Sequence, residues 1–149
     1  MNTLFDDAAR AGMLTRLESM RADSPRGWGK MTPAQALCHC AITLDVVTGK
    51  LPMRQKFIGK VLGPFFRKKM LGPEPFSRNS PTGPELVVSD QRDFARERER
   101  VVALIGEFAA AGPDSASRYE HGFLGRLTGD EWGRLMHKHL DHHLQQFGA

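Results

Sequence analysis

At 149 residues the chain is sized for one domain, residues 1–149, with a hydrophobic core of its own. Hydrophobic residues make up 40% and charged residues 26%, the balance of a globular protein and not of a disordered or fibrous one. Net charge is +4 with a pI near 9.4, and no stretch approaches the roughly 20 consecutive apolar residues of a bilayer-spanning helix.

The N-terminal stretch Met1-Asn2-Thr3-Leu4-Phe5-Asp6-Asp7 lacks the basic and apolar regions of a signal peptide. The only cysteines are Cys38 and Cys40, too local to staple a fold, which reads as two free thiols in a reducing compartment. A cytoplasmic location is the expectation that follows.

Helical periodicity begins at about Leu4 and runs to Met20, with Met13, Leu14, Leu17 and Met20 on the apolar side. A turn is predicted over Asp23–Gly27. Thr32-Pro33-Ala34-Gln35 then forms a capping box with proline at the first helical position, opening a helix that continues to about Val47 and stops at Gly49. An extra helical segment is predicted over Met53–Met70, kinked at Gly63-Pro64, with Phe57, Ile58, Val61, Leu62, Phe65 and Phe66 as its apolar surface. Between Lys50 and Lys69 the chain carries seven basic residues and no acid. Such a block suits an anionic ligand, nucleic acid or a membrane surface, or is simply a solvated face.

Residues 72–89 hold four prolines, a connection long enough to suggest a lid or binding loop. Within it Glu85–Val88 has extended character, though one short run makes no sheet. A third long helix is predicted from near Ser89-Asp90 to about Ala111, closed by Gly112-Pro113. A fourth opens on a second capping box, Thr128-Gly129-Asp130-Glu131, and ends at Gly148. Four long amphipathic helices with almost no strand signal predict an all-α bundle.

Five of the six histidines fall between His121 and His143. At about 100° per residue, His143 lies about 40° from His139 on the last helix, with Trp132 and Leu135 on the same stripe. His137 lies about 160° away and His142 about 60° off the other flank, which makes these two surface or edge residues. His39 shares a face of the second helix with Ala36, Ile42, Thr43 and Val46. Buried imidazoles need a partner for each ring nitrogen, and i, i+4 histidines can converge on one divalent ion. The alternative is that each one hydrogen-bonds separately within the core. His39, His139 and His143 together give the ligand count of a catalytic rather than a closed structural zinc site. No glutamate follows His139, so the metalloprotease pair is absent.

The run Trp28–His39 resembles the start of the second helix in the DinB/YfiT-like metal-dependent superfamily. His139-Leu140-Asp141-His142-His143-Leu144-Gln145-Gln146 resembles its closing His-x-x-His-His-x-x-Gln stretch. His121–Thr128 looks like a branch catalogued as a domain of unknown function. The resemblance implies an up-down-down-up four-helix bundle with a three-histidine site for zinc, nickel or a similar ion, and by motif position the metal ligands are His39, His139 and His143. Enzymes of that superfamily include thiol-dependent S-transferases and a thiol-dependent maleylpyruvate isomerase. Two departures mark this chain: cysteines flank His39, which bears on redox sensitivity, and Gly122 stands where the branch suggests proline.

The expected function is therefore a metal-dependent enzyme, a thiol-dependent transferase or hydrolase-like relative acting on a small thiol or anionic compound. The alternative is a non-catalytic metal-stabilised bundle or a binding module for an anionic partner. A homodimer is left open. Nucleic acid ranks low, since neither a helix-turn-helix nor an aromatic stacking platform is present. No catalytic residue beyond the histidines is assigned. Asp141 and Gln146 are candidates to support the ligands, and His121 is expected to lock the turn before the last helix rather than join the metal.

Overall fold

A computed structural model describes all 149 residues. Five helices carry the architecture: α1 (Asp7–Ser19), α2 (Pro33–Val47), α3 (Phe57–Leu71), α4 (Phe94–Ala116) and α5 (Gly129–Gln146). A 3-10 turn (Pro84–Leu86) interrupts the connection between α3 and α4. A two-residue antiparallel hairpin, β1 (Glu120–His121) with β2 (Gly125–Arg126), precedes α5. The molecule is thus predominantly helical.

The two capping boxes form as the sequence dictates. Thr32 Oγ1 accepts from Gln35 N–H while Gln35 Oε1 accepts from Thr32 N–H, and Thr128 and Glu131 repeat the exchange at α5. Gly49 takes φ +78 just past α2, where a side chain would strike the Tyr119 ring.

Other boundaries move. Residues before Asp7 are not helical: Asp6 caps α1 by accepting from Ala9 N–H, and Leu4 donates its N–H to Gly133 O and is fully buried. This strap fits because Gly133 has no Cβ, which would lie 2.3 Å from Thr3 Oγ1. Helix α4 starts at Phe94, not near Ser89, because Asp93 is the residue that accepts from Arg96 N–H. It breaks at Gly112 (φ +77), and Pro113 opens one further turn. Helix α3 runs unbroken through Gly63-Pro64, so the expected interruption there is absent.

The core joins α1, α2, α4 and α5 through Leu17, Leu44, Val101, Ile105, Phe108, Trp132 and Leu140. Asp45 on α2 and Glu97 on α4 are buried, and Arg100 pairs with both, stitching those two helices together. Arg16 on α1 donates to Asp141 Oδ1 and to Ala149 O, fastening the end of α5.

Helix α3 packs unlike the others. Its inward face is Gly59 and Gly63, where a Cβ would lie 2.4 and 2.8 Å from Phe123 O, so the backbones meet closely. The apolar surface read from the sequence therefore points to solvent: Phe57 is 81% and Phe65 79% exposed. Lys138 of α5, itself buried, donates from Nζ to Lys69 O, Met70 O and Gly72 O and so closes the C-terminal end of α3. Burial pushes the Lys138 ammonium below its ordinary range, opposed by the charge of Glu74.

Two phenylalanines separate core from surface. Phe108→Ala should cost about 3–5 kcal/mol in chemical denaturation. Phe65→Ala should stay within about 0.5 kcal/mol. Equal losses would contradict the solvent-facing placement of α3.

Candidate metal centre

Helix α2 brings His39 and helix α5 brings His139 and His143 to one place. One ring nitrogen from each lies within 4.8 Å of the other two. The rings form a near-equilateral triangle, with centroids 4.9 Å (His39–His139), 5.0 Å (His39–His143) and 4.8 Å (His139–His143) apart, all edge to face. The i, i+4 spacing on α5 places the second pair, and the packing of α2 on α5 supplies the third ring.

The outer nitrogens decide what the inner ones are. His39 Nδ1 donates to Leu86 O at 2.8 Å, from the 3-10 turn. His143 Nδ1 faces Gln146 Oε1 at 2.9 Å. That amide is oriented by its own Nε2, which donates to Trp28 O at 2.7 Å, so the oxygen is the atom presented to the ring. Thr43 Oγ1 donates its proton to Cys40 O at 2.8 Å, leaving a lone pair 3.2 Å from His139 Nδ1. Acceptor oxygens require the hydrogen on Nδ1 of His39 and of His143, which leaves a lone pair on Nε2 of each, and His139 takes the same tautomer where Thr43 accepts from its Nδ1.

One ring nitrogen of each histidine faces a common point, and Nε2 of His39 and of His139 stand 2.9 Å apart, the distance of a hydrogen bond if either carries hydrogen and of facing lone pairs if neither does. Two lone pairs at that separation repel unless a cation lies between or beside them. A proton is opposed by burial, which lowers the basicity of all three rings: His39, His139 well below its ordinary value, and His143 down to about 3. Charge on the neighbouring rings adds to the effect at His139 and His143. Neutral imidazoles with oriented Nδ1–H groups are the donor set of a divalent ion, and the residues present fit one. No carboxylate or thiolate belongs to the cluster.

The surrounding walls come from two connections. The ring of Phe76 lies 6.5 Å from His139 and 5.8 Å from His142, and Lys138 Nζ stands 4.5 Å over its face. Trp28 sits 5.5 Å from His142, with the Arg78 guanidinium 4.6 Å over the indole. A cavity of about 10 Å³ beside His143 is lined by apolar residues such as Leu17, Leu37 and Leu140. A larger groove, about 730 Å³, lies at the N-terminal ends of α2 and α4, lined by Thr32, Gln35, Arg92 and Phe94, without a histidine.

Of the remaining histidines, His137 lies outside the cluster, under the charges of Asp141 and Arg16. His142 is half-buried at the border, its ring 5.1 Å from that of His143. His121 accepts from the N–H groups of Phe123 and Leu124, both 3.0 Å from Nδ1, and packs on Trp132. It locks the hairpin turn. Gln146 supports a ring as the motif suggests, whereas Asp141 does not, being held by Arg16 and Gln145. Leu86 O was invisible to sequence reasoning because a backbone carbonyl has no residue signature. Phe76 lies in the proline-rich connection and Lys138 carries no motif, and only the fold brings them here. Cys38 and Cys40 are buried, and burial pushes both thiols up, which disfavours the thiolate form. A Cβ at Gly122 would lie 2.6 Å from Met53 Sδ, so a larger residue there requires the Met53 side chain to shift.

Elemental analysis of variants checks the cluster. His143→Ala should lose most of the bound metal, while His137→Ala and His142→Ala retain it. Gln146→Ala should weaken metal affinity by about ten- to a hundredfold, because the ring loses its orienting acceptor. Loss of metal in His137→Ala equal to that in His143→Ala would contradict the geometry.

Acid sensitivity of the metal-free protein is a further outcome. His143 titrates near 3 and His121 near 4 in the fold, against 6.5 ordinarily, both through burial. Between those values the unfolded chain binds more protons than the folded one, so stability is fully present above about 6.5 and falls as pH drops towards 3. A thermal midpoint of the metal-free protein that stays level from pH 7 to pH 4 would contradict buried neutral rings.

The profile described as the DinB superfamily matches residues 7–147. No curated protein matches the chain, and no solved structure does. Since the matched stretch spans all five helices and the three clustered histidines, the chain belongs to the DinB superfamily.

Proposed function

We propose that His39, His139 and His143 hold one divalent ion, zinc or nickel, through Nε2, and that the protein is a metal-dependent enzyme of the thiol-dependent transferase kind. The observation that carries this reading is the convergence of three buried imidazoles, each with its Nδ1 beside an oxygen on the outer side. A bound divalent ion supplies Lewis acidity, lowering the pKa of a coordinated thiol or water at neutral pH.

The chain's own residues do the rest. Leu86 O, Thr43 and Gln146 keep the imidazoles in one tautomer and one orientation. Three neutral ligands bring no negative charge, so the site favours an anionic thiolate or carboxylate as its further ligand. Phe76 and Trp28 give the border an apolar lining that limits water, and Arg78 is the nearest cation of the 72–93 connection to that lining. Arg67, part of the basic block, is instead engaged by Glu131.

The same reading takes α1, α2, α4 and α5 as an up-down-down-up bundle within a single domain, residues 1–149. Helix α3 and the proline-rich connection are additions to it. The two free thiols support a reducing, cytoplasmic setting. No helix is long and apolar enough to cross a membrane. A second reading, a metal-stabilised bundle without chemistry, is favoured by the small size of the cavity that borders His143.

Replacing the ion with Co²⁺ and titrating a small thiol separates the two. An enzyme with open positions should show sulfur-to-cobalt charge-transfer bands that His143→Ala abolishes. A cobalt spectrum unaltered by thiol and by small carboxylates would contradict the enzyme reading and leave the bundle-stabilising one. Metal removal should lower the thermal midpoint under either reading, since the ion binds only the folded chain.

A further inference from the structure

Helix α3 presents the largest unexplained feature outside the histidine cluster. Phe57, Ile58, Val61, Leu62, Phe65 and Phe66 are all exposed. At about 100° per residue they occupy about half of the helix circumference, with Phe57, Ile58, Val61 and Phe65 on the side away from the glycines that dock on Phe123 and Leu62 and Phe66 on the flank towards them. Continuous exposed apolar surface of this kind marks an interaction face, not an ordinary surface residue here and there. Phe66 meets Phe123 edge to face at 5.9 Å, but the helix is seated by its glycine side, the Arg67–Glu131 pair and the Lys138 bonds, and Phe57, Ile58, Val61 and Phe65 are left to solvent.

Charge identifies the occupant. Arg54 lies before the N-terminal end of the apolar stripe beside Lys56, which pairs with Glu85, while Lys68 and Lys69 lie at its C-terminal end and Lys60 on its flank, all exposed. Residues 50–69 contain no acid. A second copy of this chain would set basic ends against basic ends whether the two helices ran parallel or antiparallel. The stripe is a convex ridge, with two phenylalanines standing about four-fifths exposed, and so offers no groove for a peptide. A ridge of aromatic and aliphatic side chains bounded by lysines matches the layering of an anionic bilayer surface. Apolar groups enter the acyl boundary there, and long cationic side chains reach the headgroups.

We propose that α3 is an interfacial helix that docks the protein on anionic phospholipid membranes through Phe57–Phe66, with the flanking lysines on the headgroups. Docking leaves the fold unchanged, because Phe57, Ile58, Val61 and Phe65 are exposed and Phe66 keeps its contact with Phe123. Helix α3 rests directly on α5 through the Arg67–Glu131 pair and the Lys138 bonds, so the bilayer lies against the neighbour of the helix that carries His139 and His143. The proposal does not depend on metal chemistry at those histidines.

Co-sedimentation of the full-length, metal-containing protein with vesicles tests it. The protein should bind phosphatidylcholine vesicles containing phosphatidylserine, and bind pure phosphatidylcholine at least tenfold more weakly. Raising salt should release it. Neutralising Lys60, Lys68 and Lys69 together should weaken binding on the order of a hundredfold. Phe57→Ser with Phe65→Ser should weaken it at least tenfold, with metal content and thermal midpoint retained. Equal binding to neutral and anionic vesicles, or full binding by the double phenylalanine variant, would overturn the proposal. So would a protein that ignores both vesicles and sediments as a dimer which those two serines dissociate.

Discussion

Three buried imidazoles whose Nδ1 atoms are each engaged by an oxygen are left with their Nε2 atoms turned to one another. Their Nε2 lone pairs face one another, with one pair at 2.9 Å, and burial resists the proton that would relieve them. Every nearby feature maintains this arrangement. The 3-10 turn exists where it puts Leu86 O on His39, Thr43 back-bonds to Cys40 so that its lone pair faces His139, and Trp28 O turns Gln146. Three neutral ring nitrogens gathered at one point could hold a divalent ion, which interacts with all three at once as a proton cannot. Membership of the DinB superfamily accords with that reading.

Helix packing explains why the three rings stay in place. The ion pairs among Asp45, Glu97 and Arg100 fix α2 against α4, and the capping box at Thr128 fixes where α5 begins and hence its phase. Removing one member of such a buried pair is costlier than the pair is worth, because the remaining charge is left without a partner. The connection between α3 and α4 is less regular, yet it closes the site from outside the bundle. Its position is secured at one end by Lys138, which satisfies three carbonyls with one ammonium, and at the other by Gln35 donating to Asp90 O.

Much of the site was legible in the sequence because it rests on local rules. The i, i+4 spacing of His139 and His143 and the capping boxes at Thr32 and Thr128 fix helix phase, and phase fixes which histidines turn inward. The free thiols and the turn-locking His121 followed from similarly local signals. What the sequence did not disclose depends on backbone or on distant contacts. Leu86 acts through a carbonyl, Lys138 acts by reaching a helix end 66–69 residues away, and the first six residues are held by a groove that Gly133 opens on α5. Helix α3 was the instructive case. Its six large apolar residues and seven-residue basic block read together as a helix with one buried side, but two glycines dock it and the apolar side faces solvent. Periodicity identifies the stripe; it does not say what covers it.

The tautomeric state of the three rings is the most direct measure of the central claim. Long-range ¹H–¹⁵N correlation spectra of the metal-free, ¹⁵N-labelled protein at neutral pH report which ring nitrogen of each histidine carries its hydrogen. The account predicts that His39, His139 and His143 are all neutral with hydrogen on Nδ1. It also predicts that Zn²⁺ shifts their Nε2 resonances together, while those of His121 and His137 stay put. Hydrogen on Nε2 of any of the three at neutral pH, or Nε2 signals that added Zn²⁺ leaves in place, would contradict it.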